Sequence, residues 1–441
     1  MGFDRAQFER KIADGSVHVA VLGLGYVGLP LALTFVERAG IRVTGFDIDA
    51  QKIDMIARGE TYIAHVHGDR LTSEVAKRLF AATTDFLRLG EPDALIIAVP
   101  TPLTPQREPD MRYVENTARA ISSHLRPGQL VILESTTYPG TTDGPLRQIL
   151  EQSGLRCGQD FLLAFSPERE DPGSQTFSTA TIPKIVGGVD SVSTEVAAAL
   201  YARAIDKVVT VASARTAEAT KLTENIFRAA NIALVNELKV IYERMGIDIW
   251  EVLDAASSKP FGFMRFNPGP GIGGHCIPLD PFYLTWKARE FGIATRFIEL
   301  AGEINLSMPR YVVEKLRDAL DSRGKPLRGC RILVLGLAYK KDIGDSRESP
   351  SFELIELLLH HNATVSYHDP HIPTAPAMRS WPNLPPLHSV PLTVATLQST
   401  DAVIIATDHS AVDYELVAKT APLVVDTRGI FRAPRDNVVK A

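Results

Sequence analysis

Cys276 stands in NPGPGIGGHCIPLDP, Asn267 to Pro281, a stretch so dense in glycine and proline that neither a helix nor a central strand is expected there. Pro268, Pro270, Pro278 and Pro281 fix φ, while Gly269, Gly271, Gly273 and Gly274 permit positive φ and close approach of backbone to a ligand. The expected product is a rigid, irregular loop presenting a thiol, with His275 beside it and Asp280 four residues on. A thiolate so placed can attack a carbonyl carbon and hold the product covalently. Taken alone, an isolated cysteine is more often a small packing residue. Lys221 and Asn225, four apart in a helical stretch, share a face. An ammonium and an amide pointing together into a cleft stabilise an oxyanion or move a proton, although the spacing alone more often describes a solvated surface pair.

These groups need elements to hold them. Val17 to Leu22 reads as a strand that runs into GLGYVG, Gly23 to Gly28, and then into the helical pattern LPLALTFVERAG. Gly23 makes the tight turn, Gly25 lets the backbone approach a pyrophosphate, Gly28 lets helix pack on strand, and the helix amides attract phosphate. The next strand, IRVTGFDID, ends in Asp47. A carboxylate there accepts a ribose 2′-hydroxyl and repels a 2′-phosphate, which favours NAD over NADP. Apolar runs ending at Thr101, at Thr136 and Thr137, and at Glu168 continue a mostly parallel, doubly wound sheet whose carboxyl edge is where ligands bind.

After a last strand, KVVTVAS, about 30 residues run without glycine or proline to Gly246, a helix of roughly 45 Å. Ser213 or Thr216 suits its start. A polar, basic stretch around SRGKPLRGC then precedes CRILVLGLAYKKD, which repeats the strand-to-turn opening with GLA in place of GxGxxG. Further strands in TVSYHDP, DAVIIATDH and PLVVDTRG make a second Rossmann-like domain, and the proline-rich segment 371–391 reads as an irregular insertion. Lys340, Lys341, Asp345, Arg347 and Glu348 crowd the turn after its first strand and Arg428 follows its last, cations that suit a phosphate.

Composition sets limits. With 441 residues, 45% hydrophobic and 22% charged, the chain has material for about three domains. A formal charge of -5 lends nothing to a nucleic-acid surface, no apolar run reaches the ~18 residues of a membrane span, and no signal peptide is evident at the N-terminus. Cys157, Cys276 and Cys330, odd in number and widely spaced, match neither a disulfide framework nor a metal site, so a reduced, cytoplasmic protein is expected.

Together, GLGYVGLP, STTYPGTT, SPE, EATKLTEN, GPGIGGHCIPLDP and GLAYKKDIGDSRESPS resemble the nucleotide-sugar 6-dehydrogenases, the UDP-glucose/GDP-mannose dehydrogenase family, over nearly the whole chain. The loop GGHCIPLDPFYLTWKARE is most similar to the UDP-N-acetylhexosamine branch, UDP-N-acetylglucosamine above all, with UDP-glucose, UDP-N-acetylmannosamine and galactosamine enzymes as alternatives and a non-catalytic nucleotide-binding protein as a reading of another class. The resemblance implies an α/β fold of two Rossmann-like doubly wound domains joined by a long central helix and a helical middle domain: residues 1–212 for NAD, 213–310 for the cysteine loop and dimer contacts, and 311–441 for the UDP moiety. It makes Cys276 the nucleophile, Lys221 and Asn225 the oxyanion or proton-handling groups, and Asp280, Thr136 and Glu168 their helpers. NAD would touch Gly23, Gly25, Tyr26, Val27, Gly28, Asp47, Lys52, Thr101, Thr136 and Arg347. The UDP-sugar would touch Glu168, Arg169, Lys221, Asn225, Arg265, Gly269, Gly273, Lys340 and Arg428. A homodimer or larger homo-oligomer, and a role in cell-surface polysaccharide synthesis, are implied as well.

Two positions depart from the UDP-glucose branch. Leu279 stands where those enzymes often carry lysine, and SPEREDPG has no clear match to their second glutamate, so that role is not carried to Glu170. The implied chemistry takes two hydrides from one sugar carbon. A cysteine adds to the intermediate aldehyde so that the second hydride can leave, giving a thioester that water cleaves.

Overall fold

The computed structural model describes residues 2–63, 66, 68–104, 106–169, 177–274, 277, 279–378 and 380–441. The chain folds as two units, Met1–Glu224 with Phe282–Ile293, and Asn225–Pro281 with Ala294–Ala441.

The first unit opens with α1 (Arg5–Asp14), β1 (His18–Leu22), α2 (Gly28–Ala39), β2 (Arg42–Phe46), α3 (Ala50–Ala57), α4 (Gly68–Ala76) and β3 (Phe80–Thr83). It continues with β4 (Ala94–Ile97), α5 (Arg112–Ser122), β5 (Leu130–Leu133), α6 (Arg147–Leu150), β6 (Leu162–Phe165), β7 (Lys184–Gly188), α7 (Ser191–Tyr201) and β8 (Val208–Thr210). The strands form one sheet in the order β3-β2-β1-β4-β5-β6-β7-β8. Every residue of β1, β4, β5 and β6 is buried, as strands covered on both faces must be. One pair breaks the parallel rule: β7 runs antiparallel to β6, with Phe165 opposite Gly187. The connection between them has no helix among the described residues, and an antiparallel neighbour needs none.

The expected strands through Thr101, Thr136 and Glu168 stop earlier, at Ile97, Leu133 and Phe165. Pro100, Pro139 and Pro167 follow, and proline has no amide to give a ladder. Those three residues therefore lie in loops beyond the sheet's carboxyl edge.

Helix α8 (Ala214–Arg244) has 31 residues. The Ser213 hydroxyl accepts the Thr216 amide at its start, and Gly246, at φ 71°, follows its end. Glu218, Lys221, Asn225, Asn236 and Lys239 fall on one helical stripe, and all are buried.

Then come α9 (Ile249–Ala256), α10 (Asp280–Arg289) and α11 (Arg296–Asp321). The irregular loop expected to reach Pro281 is shorter, because α10 begins at Asp280; Pro281 is tolerated in a first turn, where its missing amide would have had no helical acceptor. In the second unit α8 and α11 approach closely through Ala230, Ala233 and Ala301. The helix α11 continues unbroken through residues 310 and 311.

A second sheet completes that unit: β9 (Arg331–Leu335), α12 (Pro350–His360), β10 (Thr364–His368), α13 (Val394–Gln398), β11 (Ala402–Ile405), α14 (Tyr414–Thr420), β12 (Val424–Asp426) and β13 (Val438–Lys440). Its order is β10-β9-β11-β12-β13, all parallel. Both sheets are thus of the doubly wound α/β type expected. Among the described residues no helix is long and apolar enough to cross a membrane.

Candidate active site

The glycine turn after β1 has the shape its sequence demands. Gly23 is at φ 96°, and a Cβ there would lie 2.5 Å from the Ala98 carbonyl oxygen. At Gly28 a Cβ would lie 1.9 Å from the Gly23 oxygen, so only glycine lets α2 close on the strand. Gly25 differs, for a Cβ there meets nothing within 4 Å. That open face, at the start of a helix, is a cradle fit for a pyrophosphate. Val27 is the N-cap of α2, and Tyr26 precedes it in the half-buried turn. Asp47, directly after β2, is 7% exposed; one carboxylate oxygen accepts the Leu24 amide at 2.9 Å and the Lys52 ammonium at 3.2 Å, the other the Asp49 amide at 3.0 Å. Asp47 thereby ties the turn to the end of β2. Thr101 is buried, its carbonyl held by the Tyr283 hydroxyl at 2.7 Å, and Thr136 is half-buried after β5.

Lys221 is 5% exposed and donates to the Glu168 carbonyl at 2.5 Å and to its carboxylate at 3.3 Å. One turn on, Asn225 donates its amide to Asp280 at 2.5 Å. Asn225 and Asp280 are both more than nine-tenths buried, so neither pair is the solvated surface contact that spacing alone would suggest. Arg169, expected on substrate, is bidentate to Glu224 at 2.6 and 3.2 Å and donates to the Pro183 carbonyl at 2.6 Å. Glu218, which the sequence reading passed over, accepts the Gly140 amide at 2.6 Å and both amide and hydroxyl of Thr142 at 2.9 and 2.7 Å. It ties the loop that follows Thr136 to α8, and burial pushes its carboxyl up to about 7.

In the second unit the proline–glycine loop is anchored from two sides. Asn236 on α8 accepts the Gly269 amide at 3.0 Å and donates to Asn305 on α11 at 3.0 Å, and Asn305 donates to the Ala229 carbonyl at 3.0 Å. Farther along, Gly274 donates its amide to the Arg347 carbonyl at 3.0 Å, and a Cβ on Gly273 would lie 2.5 Å from the Tyr339 side chain. A Cβ on Gly269 would likewise collide with the Arg428 guanidinium. The loop therefore lies against the turn after β9 and the end of β12, and Gly273, where a Cβ would also lie 2.9 Å from the Glu348 carbonyl oxygen, is required for that contact. Arg428 donates to the Ala406 carbonyl at 2.7 Å; Arg265, at the loop's start, is held by Asp254 and Asn267; Arg347 is paired with Asp345 at 2.6 Å; Lys340 is half-buried. His275 and Cys276 lie outside the described residues, as does Glu170. Cys157 and Cys330 are free, buried thiols, and burial pushes the Cys157 thiol up to about 12.

The turn after β9 repeats the first turn's outline with a different interior. Gly336, at φ 89°, matches Gly23, but Asp369 after β10 accepts the amides of both Leu337 and Ala338, at 2.7 and 2.9 Å. Its carboxyl, held well ionised by those bonds and by His409, is lowered to about 2 against the opposing effect of burial. No helix starts here until Pro350. Asp342, His371 and His409 come together nearby, yet His409 uses one ring nitrogen on Asp369 at 3.1 Å and the other to accept the Asp342 amide at 3.0 Å, leaving a neutral imidazole no lone pair for a metal.

Three family models match the chain in order: the NAD binding domain of the UDP-glucose/GDP-mannose dehydrogenase family over residues 17–205, the central domain over 215–307 and the UDP binding domain over 333–433. The chain belongs to the UDP-glucose/GDP-mannose dehydrogenase family. It is therefore an oxidoreductase that uses NAD, with a domain for the UDP-sugar substrate. It is 36% identical to the UDP-N-acetyl-D-glucosamine 6-dehydrogenase of Pseudomonas aeruginosa over 89% of this chain and 90% of that one. Identity to an NDP-N-acetyl-D-galactosaminuronic acid dehydrogenase of Ralstonia nicotianae is 35%, covering 95% and 97%. The solved UDP-D-ManNAc dehydrogenase of Pyrococcus horikoshii shares the fold with a TM-score of 0.85 and 32% identity, covering 96% of this chain and 98% of that one. The open face at Gly25 and the carboxylate of Asp47 fit the cofactor that the family uses.

Proposed function

We propose that this dehydrogenase oxidises the C6 hydroxyl of a UDP-N-acetylhexosamine, UDP-N-acetylglucosamine, to the uronic acid, taking four electrons in two steps. The observation that carries the reading is the pair of buried donors one turn apart on α8, Lys221 on Glu168 and Asn225 on Asp280. Bound NAD supplies a hydride acceptor for each oxidation. Asp280, through water, takes the hydroxyl proton as the aldehyde forms, with Thr136 assisting. The Cys276 sulfur then bonds to the aldehyde carbon, and Lys221 and Asn225 stabilise the oxygen of the thiohemiacetal. Loss of a second hydride leaves a thioester on Cys276. Water adds to it, the C–S bond breaks, and the thiol is regenerated with the carboxylate.

We assign residues 1–212 to NAD, 213–310 to the cysteine loop and subunit contacts, and 311–441 to the UDP moiety, with Arg265, Gly269, Gly273, Lys340 and Arg428 on the nucleotide sugar. Phe227, Leu234 and Ile241, seven residues apart on α8, are 49, 51 and 45% exposed, an apolar stripe suited to helix pairing in a homodimer. The cytoplasm, where thiols stay reduced, suits the free Cys157 and Cys330. The relatives named for galacto and manno sugars favour testing those epimers beside the gluco one.

The test is NADH formation against a panel of UDP-sugars with mass identification of product. Two NADH and one uronic acid per sugar are expected, and Cys276→Ala should form no acid. A single NADH per sugar, or acid formation at near-normal rate by the variant, overturns the two-step covalent reading.

A further inference from the structure

Tyr62 lies between α3 and α4, 38 residues after Leu24, and its hydroxyl donates to the Leu24 carbonyl at 2.6 Å. A short turn presents it. The Thr61 hydroxyl accepts the Ile63 amide and donates to the Ile63 carbonyl, both at 3.1 Å, and Ile63 is 1% exposed. The half-buried Tyr62 ring packs on the core that includes Leu24, Leu29 and Ile56. Over its face, 5.8 Å from the centroid, stands the Lys52 ammonium that also pairs with Asp47. Burial, and then the charges of Asp47 and Asp49, raise the Tyr62 hydroxyl well above its usual range, so it stays a donor.

Leu24 is the second residue of the glycine turn. Its N–H donates to Asp47 at 2.9 Å, and its side chain is fully buried against Gly45, where a Cβ would lie 2.7 Å from it. Those two anchors leave one motion open, rotation of the peptide between Leu24 and Gly25. Glycine takes either sign of φ, and even a Cβ at Gly25 would meet nothing within 4 Å, so that rotation is sterically cheap. In a planar trans peptide the carbonyl and the following N–H point opposite ways. One orientation therefore offers an N–H to an anion on this turn and the other offers it an oxygen; the first attracts a pyrophosphate and the second repels it. The bond from Tyr62 selects between them.

We propose that Tyr62 is a cofactor-positioning residue: by holding the Leu24 carbonyl, it aims the Gly25 N–H at the pyrophosphate of bound NAD. Tyr62 acts through the turn and need not touch the cofactor. The inference rests on NAD at the glycine turn and is independent of the sugar and of the thioester reading.

Binding to the full-length protein tests it without turnover. ADP-ribose, which carries the pyrophosphate, and adenosine, which does not, are titrated by ligand-observed NMR. Tyr62→Phe keeps a ring beneath Lys52, and with it the Lys52–Asp47 pair, and loses only the hydroxyl. The ratio of ADP-ribose to adenosine affinity should fall by about threefold to tenfold, the worth of one hydrogen bond, with adenosine binding unchanged. In turnover, KM for NAD should rise by the same factor while kcat at saturation holds. A smaller fall in the ratio overturns the proposal, whether both ligands bind as before or both weaken alike, the mark of a tyrosine that only packs. Tyr62→Met also lacks the hydroxyl and must lower the ratio in the same range; a ratio it leaves unchanged refutes the assignment even where Tyr62→Phe does not fold.

Discussion

Replacing Lys221 with Met in a cycle with Glu168→Gln separates a lysine that acts on substrate from one that only neutralises Glu168. The two side chains are 6 and 12% exposed, and the ammonium reaches both the carbonyl and the carboxylate of Glu168. Breaking a buried pair from one side costs ~3–5 kcal/mol of stability, because the remaining carboxylate is left short of its cation. Removing a well-aimed oxyanion donor costs about 3 kcal/mol of barrier, or roughly a hundredfold in kcat. Both losses appear together in Lys221→Met, so the single variant decides nothing about role. The cycle with Glu168→Gln does. With both charges gone, denaturation midpoints should return to within about 1 kcal/mol of wild type. If Lys221 acts on the sugar oxygen, the double variant turns over about a hundredfold more slowly than Glu168→Gln alone, measured as NADH formation at saturating substrate and cofactor. A double variant as fast as Glu168→Gln would make Lys221 a structural cation and refute its catalytic role.

Two further outcomes follow from buried charges. Asp47→Ala removes the carboxylate that repels a 2′-phosphate and leaves Lys52 to receive one; the NADP/NAD ratio of kcat/KM should rise at least about tenfold, with NAD affinity falling by a similar factor, and an unchanged ratio would remove Asp47 from cofactor choice. Lys239, 3% exposed, is pushed down to about 7 by burial, against the pull of Asp426 and Glu243. In the native state it gives up its proton near pH 7 while the unfolded chain keeps it to about 10.5, so its contribution makes stability rise with pH across that window. Lys239→Met should therefore be more stable than wild type by at most about 5 kcal/mol at pH 7, at roughly 1.4 kcal/mol per pH unit, with the advantage shrinking toward pH 10. Urea midpoints at pH 7, 8.5 and 9.5 check it, and an advantage that grows with pH contradicts the assignment.

Local signals carried much of this architecture. The glycine turn and the opening of α8 were legible because each is fixed by steric or capping needs within a few residues. Ion pairs and strand ends were less so. Arg169 pairs with Glu224, 55 residues away, which no local pattern reveals. The antiparallel β7 and the helices α1 and α11 were not foreseen; Pro309 sits inside α11, a residue that in sequence argues for a break. The anchors Glu218, Asn236 and Asn305 were missed, although a signal existed. Polar residues recurring at helical spacing among the apolar ones of α8 mark a buried working face, because burying them singly would be costly.

The turn after β9 has one more consequence. Asp369 behaves as a ligand that the protein supplies to itself, accepting two successive amides of the turn, Leu337 and Ala338, where Asp47 accepts that of Leu24. Two donors of this turn are thus already spent inside the chain, before any ligand arrives.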